Sequence, residues 1–288
     1  MTDAAEIAAL TRTPLARRGF VMTSLISGLT LATTRVDAQA IHTDTVGLSA
    51  GEARVPVADG GLPAYVARPD AAGPFPVVLV VEEIFGVHDY IKDICRRLAK
   101  QGYLAIAAEY YARVGDLSKM TAMAELSATV ARAPDAQMLA DMDAVAAWAG
   151  QNRGDAGRLG VTGFCRGGRQ TWLFATHNPR LKAAVSWYGI LGGKASANQP
   201  KSVLDSVIAL KCPVRGLYGG HDAANPLSEV RQLEAEAKQD GGRRIGSARC
   251  RSGGGDRSRA GAEDPGSAEL GRDRHACRRH RRPGAEPR

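Results

Sequence analysis

The stretch that decides the fold runs from Val161 to Gly168 and reads Val-Thr-Gly-Phe-Cys-Arg-Gly-Gly. A predicted strand, residues 158–164, leads straight into a predicted helix, residues 169–177. A connection this short must turn sharply and leaves no room for side chains two positions on either side of its apex. Gly163 and Gly167 occupy those two positions, and glycine tolerates both the crowding and the backbone angles.

The apex of this turn is Cys165. The turn lifts its thiol to the start of a helix, where the helix dipole favours a thiolate. The backbone N–H of Arg166 points to the same place and can donate to a developing oxyanion. We therefore predict that Cys165 is a nucleophile; the alternative is a buried cysteine at a tight strand–helix turn.

Strands and helices alternate on both sides of this turn. Asp59-Gly60-Gly61 predicts a hairpin, and residues 77–81 form an apolar run typical of a strand buried on both faces. Further strands are predicted at 103–108, 183–188 and 214–218, and helices at 89–101, 118–132, 134–151 and 226–239. This alternation predicts an α/β fold with a mostly parallel twisted sheet covered by helices on both faces.

Asp222 follows the strand at 214–218 and precedes the helix at 226–239. An aspartate at this end of a strand, downstream of the nucleophile, fits the chain order nucleophile, acid, histidine of triads built on such sheets. A turn or helix-capping aspartate is the alternative. We interpret the neighbouring His221 as a solvated loop residue.

The formal net charge of +8 is concentrated at one end of the chain. Residues 241–288 hold 13 arginines and 6 acidic residues, whereas the preceding 240 residues hold 25 basic and 24 acidic ones. A nearly neutral body offers no electrostatic footprint for phosphates. We expect no nucleic acid partner. The five cysteines have neither zinc-site nor thioredoxin-like spacing, so we expect no metal and no cofactor.

The first 40 residues have the pattern of an export signal. Arg17-Arg18 precede a short apolar stretch, residues 23–32, and Ala38-Gln39-Ala40 supplies a small-x-small cleavage site. A frayed N-terminal arm is the alternative. We predict that residues 1–40 are a twin-arginine signal peptide, that the twin-arginine export machinery is a partner, and that the mature chain begins at Ile41 in the periplasm.

Four motifs together resemble the dienelactone hydrolase family over about residues 51–240. They are Glu83-Ile84-Phe85-Gly86-Val87, Tyr111-Ala112-Arg113, the turn at 163–168 and the acid loop at 219–226. The resemblance implies an α/β-hydrolase domain, residues 41–240, that uses a Cys-His-Asp triad. The implied substrates are small anionic esters or lactones of the carboxymethylenebutenolide type.

The resemblance also assigns roles to single residues. Glu83 hydrogen-bonds the resting thiol, keeps it protonated and releases it when an anionic substrate arrives. The backbone N–H groups of Ile84 and Arg166 form the oxyanion hole. Arg113 pairs with the substrate carboxylate, unless it is an ordinary surface arginine. Glu82 is expected to be structural or solvated.

The last 48 residues break the pattern. Ile245 and Leu270 are their only large aliphatic residues, and they contain no Val, Phe, Tyr, Trp or Met. Such a segment buries too little apolar surface to offset its chain entropy, so we predict a disordered tail at 241–288 and a sheet without its last strand. The family places its histidine just beyond that strand, and neither His275 nor His280 matches it. Because Arg, Gly, Ala and Pro dominate, we predict an out-of-frame translation of a GC-rich gene.

Three functions are consistent with these sequence features. The leading one is a hydrolase that acts through a cysteine acyl-enzyme. The second is a hydrolase-fold protein that is impaired or inactive because it lacks the histidine. The third is a thiol redox or binding protein that uses Cys165 without hydrolysis. Turnover of a small activated ester separates the first from the others, and peroxide-sensitive labelling of Cys165 without turnover favours the third.

Overall fold

The computed structural model describes residues 42–238 and, for the backbone alone, a strand at residues 245–250. The strands are β1 (Leu48–Val57), β2 (Gly60–Pro69), β3 (Phe75–Val81), β4 (Leu104–Ala108), β5 (Gly154–Phe164), β6 (Leu181–Trp187), β7 (Val214–Gly219) and β8 (Ile245–Cys250). The α-helices are α1 (Asp89–Lys100), α2 (Met123–Val130), α3 (Asp135–Gln151), α4 (Arg166–His177) and α5 (Leu227–Lys238). Short 3-10 helices cover Leu117–Lys119 and Val207–Ala209.

The strands form one sheet in the order β1-β2-β4-β3-β5-β6-β7-β8. β1 and β2 are an antiparallel hairpin, and β2 also runs antiparallel to β4. All remaining neighbours are parallel. All five residues of the inner strand β4 are buried, as expected for a strand covered on both faces. The predicted mostly parallel α/β sheet is confirmed.

Side chains that alternate along the strands build one core on each face of the sheet. Leu79 packs with α3, α4 and α5 in the larger core, where Met142 and Trp172 are also buried. The neighbouring Val80 faces the opposite way, into the smaller core against α1. The sharp turn after β5 therefore emerges between these two layers.

A groove of about 930 Å³ lies beside α1 on the smaller-core face, over β5 and β6. Four aromatic side chains line it and remain 37–45% exposed, namely Tyr90, Tyr103, Trp187 and Tyr188. Within the part of the chain that the structure describes, α1 is the one α-helix that packs in the smaller core. This face of β5 and β6 consequently presents apolar surface to solvent.

Strand β8 corrects the prediction that the sheet lacks its last strand. It runs parallel to β7, in register from Val214 opposite Ile245 to Gly219 opposite Cys250. A ladder is made of main-chain hydrogen bonds, which any segment without proline can form. The scarcity of aliphatic residues therefore did not exclude a strand. The predicted disordered tail beyond it and the predicted signal peptide lie outside the described residues.

In the described part of the chain, no helix combines the length and the apolar character needed to cross a membrane.

Candidate active site

The turn that carries Cys165 is strained and is held by the main chain. Cys165 has φ 52° and ψ −114°, in the half of conformational space that non-glycine residues avoid. Its N–H donates to the carbonyl of Trp187 over 3.0 Å. A Cβ on Gly163 would lie 2.3 Å from the carbonyl oxygen of Gly167, and one on Gly167 would lie 2.3 Å from that of Glu82. The two glycines are therefore required, as the sequence predicts.

The thiol of Cys165 is protonated at rest. Burial raises its pKa to about 11, and the nearby carboxylate of Glu83 adds to this increase, as does that of Asp222. A hydrogen bond from the backbone N–H of Arg166 acts in the opposite direction, together with the charge of that residue. The helix-dipole argument predicts a thiolate, but burial and two acidic neighbours outweigh the dipole here.

Glu83 is held between two side chains from different parts of the fold. The hydroxyl of Tyr188 donates to its Oε1 over 2.7 Å, and His88 Nε2 lies 3.3 Å from its Oε2. Burial and the carboxylate raise the pKa of Tyr188, so that its hydroxyl remains a donor. Glu83 lies within electrostatic range of Cys165, but its hydrogen bonds go to Tyr188 and His88 and not to the thiol as predicted. Ile84 is buried in the same loop.

Asp222 lies in the loop after β7, within electrostatic range of Cys165. Its Oδ1 accepts from the N–H of Ala224 over 2.9 Å, and its Oδ2 accepts from the amide of Asn225 over 3.0 Å. Asn225 also accepts from the N–H of Leu191 and is 1% exposed. This buried amide therefore fixes the carboxylate of Asp222 relative to the chain that follows β6.

Arg113, predicted to pair with a substrate carboxylate, binds two carboxylates of the protein itself. Its Nε donates to Asp59 Oδ2 over 2.7 Å, and its Nη2 donates to Asp141 Oδ1 over 3.1 Å. Nη1 and Nη2 add one further bond to each carboxylate. With two carboxylates already bound in this way, the guanidinium has no free fork for a substrate carboxylate. Arg113 thus ties the β1–β2 hairpin to α3, which is the structural alternative to its predicted role, and its pairing with a substrate carboxylate stays a prediction.

The buried Glu82 and the half-buried Glu109 support the loop that carries Glu83. Glu82 is 0% exposed, and burial raises its pKa well above the ordinary value, with Glu109 as the next cause. Glu109 Oε1 accepts from the N–H of Val87 over 3.0 Å. Glu82 Oε1 accepts from the N–H of Tyr111 over 3.3 Å. The fully buried carboxyl of Glu82, bonded to the main chain, is therefore structural, which is one of the two expectations for it.

We expect Glu82→Gln to stabilise the protein increasingly as the pH rises. Below pH 4.5 Glu82 is protonated in both the folded and the unfolded protein. Above that pH the carboxyl ionises first in the unfolded chain, because burial raises its pKa in the folded protein. The wild type therefore loses stability as the pH rises, until the carboxyl of the folded protein also titrates. The glutamine variant lacks this loss, which is at most about 1.4 kcal/mol per pH unit. Urea unfolding at pH 5 and pH 8 measures it, with the exposed Glu125→Gln as control. A stability difference that does not grow with pH would contradict the assignment.

Two residues of this site were missed at the sequence level. His88 follows Glu83 by five positions, and Tyr188 directly follows β6. Tyr188 has φ 41°, so both it and Cys165 are non-glycine residues with positive φ. The motif at 83–87 ends one residue before His88, and extending it by one position would have included the histidine. No local signal singled out Tyr188. No cluster of metal-ligating side chains occurs among the described residues.

The sheet order, the sharp turn that carries Cys165 between β5 and α4, and the loop that carries Asp222 after β7 together define an α/β-hydrolase fold. The family model described as "Dienelactone hydrolase family" matches residues 62–243. The chain therefore belongs to the dienelactone hydrolase family.

Several relatives are about half identical to this chain. A protein of Methylorubrum extorquens, assigned as a carboxymethylenebutenolidase, is 51% identical over 233 residues, which cover 80% of each chain. One of Salmonella typhimurium with the same assignment is 52% identical over 72% of this chain and 77% of its own. The crystal structure of a protein from Klebsiella pneumoniae, assigned as a dienelactone hydrolase, superposes with a TM-score of 0.68 at 49% identity, covering 70% of this chain and 85% of the other.

Proposed function

We propose that this chain hydrolyses a small anionic ester or lactone, of the carboxymethylenebutenolide type, through an acyl-enzyme on Cys165. The observation that carries the proposal is the strained turn: Cys165 at φ 52° with the Arg166 N–H bonded to its sulfur. An N–H that contacts the nucleophile at rest is placed for the oxygen that becomes negative after attack. One such donor is typically worth about 3 kcal/mol of transition-state stabilisation.

The first half-reaction transfers the acyl group to sulfur. The thiol loses its proton, the sulfur attacks the carbonyl carbon, and the charge that develops on the carbonyl oxygen is met by the N–H groups of Arg166 and Ile84. The carbon–oxygen bond of the ester then breaks, and the alkoxide leaves with a proton. In the second half-reaction water attacks the thioester, giving the carboxylic acid and restoring the thiol.

Recognition of an anionic substrate falls to Arg166 rather than Arg113. The charge of Arg166 acts on Cys165, and its Nε is buried without a hydrogen-bond partner. The other candidate, Arg113, is occupied by two aspartates. A substrate carboxylate beside Arg166 would supply the partner that a buried guanidinium N–H requires.

The raised pKa of the thiol disfavours the redox alternative. Redox-sensing cysteines combine exposure with a lowered pKa, since the thiolate is the species that peroxide oxidises. Cys165 has a pKa of about 11 and lies largely buried next to two carboxylates. A neutral thiol of this kind is protected at rest and suited to a reaction that the substrate itself triggers.

The test is to trap the acyl-enzyme. We expect rapid acid quenching during turnover of a small activated ester to leave one acyl mass on the peptide that contains Cys165. An acyl group found on another residue, or turnover without any covalent adduct on Cys165, would contradict the proposal.

We further propose export by the twin-arginine route. The support is the order of Arg17-Arg18, a short apolar stretch and Ala38-Gln39-Ala40. Sequencing the N-terminus of periplasmic material should give Ile41 first, and an intact Met1 in the cytosol would overturn this.

A further inference from the structure

The carboxylate of Glu83 connects the nucleophile to a histidine. Glu83 acts electrostatically on Cys165, and its Oε2 lies 3.3 Å from His88 Nε2. The carboxylate is 15% exposed and the imidazole 35%. Tyr188 fixes the other carboxylate oxygen from the far side. Tyr188 and His88 therefore hold the carboxylate within electrostatic range of the thiol, with one of its oxygens facing the imidazole.

The imidazole itself is held by aromatic rings. His88 directly precedes α1 and stacks on Tyr90, with ring centroids 6.3 Å apart and planes 22° apart. Phe85 meets it edge-on, with centroids 6.4 Å apart. Because the orientation of the imidazole is already set, it loses little further conformational entropy when it takes up a proton.

We propose that His88 is a positioning residue and proton store for Cys165, acting through Glu83. This rests on the proposed thiol mechanism. The resemblance implies a triad in which imidazole lies between nucleophile and carboxylate. Here the order is thiol, carboxylate, imidazole. The chain thereby has a base for the reaction within its described residues, although no histidine matches the family position.

The proton moves in two transfers without a change in total charge. As sulfur attacks the carbonyl carbon, the thiol proton passes to the Glu83 carboxylate, and the carboxyl passes a proton from Oε2 to His88 Nε2. The site then holds an imidazolium, a carboxylate and the oxyanion. When the carbon–oxygen bond breaks, the same path returns the proton to the leaving alkoxide, and the imidazole is neutral again.

The imidazole improves on the carboxylate alone as a base. An imidazole is intrinsically a stronger base than a carboxylate, so it retains a proton better at neutral pH. The titratable groups that face His88 are the carboxylate of Glu83 from the loop after β3 and the phenol of Tyr90 from α1. The carboxylate of Glu83 in turn acts electrostatically on Tyr188, which follows β6, and on Cys165. Asp222 also acts on Cys165.

The other histidines with described side chains are placed elsewhere. His177 Nε2 bonds Asp143 over 2.6 Å at the end of α4. His221 is exposed in the acid loop, and His42 is exposed at the start of the described chain. Of the four, His88 alone contacts a carboxylate that acts on Cys165.

The test compares His88→Gln with Glu83→Gln and with the control His177→Gln. Glutamine can retain a hydrogen bond to Glu83 but cannot take up a proton. The measurement is the pre-steady-state acylation rate with a small activated ester as a function of pH. For His88→Gln we expect a loss of about 100-fold at the plateau, within the range of general acid–base catalysis, and an acid limb displaced to lower pH. His177→Gln should match the wild type.

Every other outcome contradicts either the role of His88 or the underlying thiol mechanism. A His88→Gln profile equal to that of the wild type, or one lowered without displacement of its acid limb, would leave His88 a packing role and overturn the proposal. Failure of the underlying mechanism is distinguishable, because Cys165→Ser would then retain wild-type acylation. A wild type that acylates at no pH overturns both.

Discussion

Cys165→Ala is expected to lower kcat/KM for a small activated ester by about 10⁴-fold or more while the protein remains folded. Removing the nucleophile of a triad typically costs 10⁴ to 10⁶ in rate, and what remains comes from binding and oxyanion stabilisation. The fold should persist because the turn is held by the N–H and carbonyl of residue 165, bonded to Trp187 and Arg169, rather than by its thiol. Activity and unfolding midpoint are measured on the same preparation.

Cys165→Ser is the matched variant for this prediction. Its hydroxyl oxygen lies close to the position of the sulfur. A serine hydroxyl is nevertheless far less acidic than a thiol, and the site supplies only a modest base to deprotonate it. We expect activity close to that of the alanine variant. If the alanine variant retains activity within tenfold of the wild type, another residue is the nucleophile.

Restoring the reading frame after about residue 240 is expected to raise kcat/KM by about 10⁴-fold. This is the amount that a missing triad histidine costs at the lower end of the typical range. The family match ends at residue 243, and the 48 residues from 241 contain 13 arginines and no lysine. The gene should be resequenced around the codons for residues 238–244, and the chain expressed in both frames.

The corrected frame should encode a strand of β-branched residues followed by a histidine next to an aromatic residue. If neither alternative frame encodes this, the frameshift is wrong. The His88→Gln substitution provides a control: its effect on acylation should be smaller in the reframed protein, where a second histidine serves the thiol. The increase in kcat/KM should be absent from a reframed chain in which the new histidine is replaced by glutamine.

The parts of the site that local sequence determines could be predicted. The requirement for glycine at 163 and 167 follows from the turn alone, and Asp222 follows from its place after a strand. The predicted bounds of the strand at 77–81 were close to the observed bounds of β3, Phe75–Val81. The helix predicted at 118–132 is instead the 3-10 helix Leu117–Lys119 followed by α2, Met123–Val130.

Long-range electrostatics could not be predicted from the sequence. The two partners of Arg113, Asp59 and Asp141, are 54 and 28 residues away along the chain. Only the folded sheet brings them to one guanidinium. Similarly, Tyr188 reaches Glu83 across 105 residues. The pairing of β8 with β7 depends on main-chain groups that every residue carries, so side-chain composition gave no guide to it.

The turn at Cys165 separates the scaffold from its chemistry. The close contacts that enforce the turn are among main-chain atoms of Gly163, Gly167 and Glu82, and the strained residue bonds its neighbours through its own N–H and carbonyl. None of these contacts depends on the side chain at position 165. The side chain at position 165 is therefore replaceable as far as the backbone is concerned: sulfur can be exchanged for oxygen, or the side chain shortened, without rebuilding the frame that presents it.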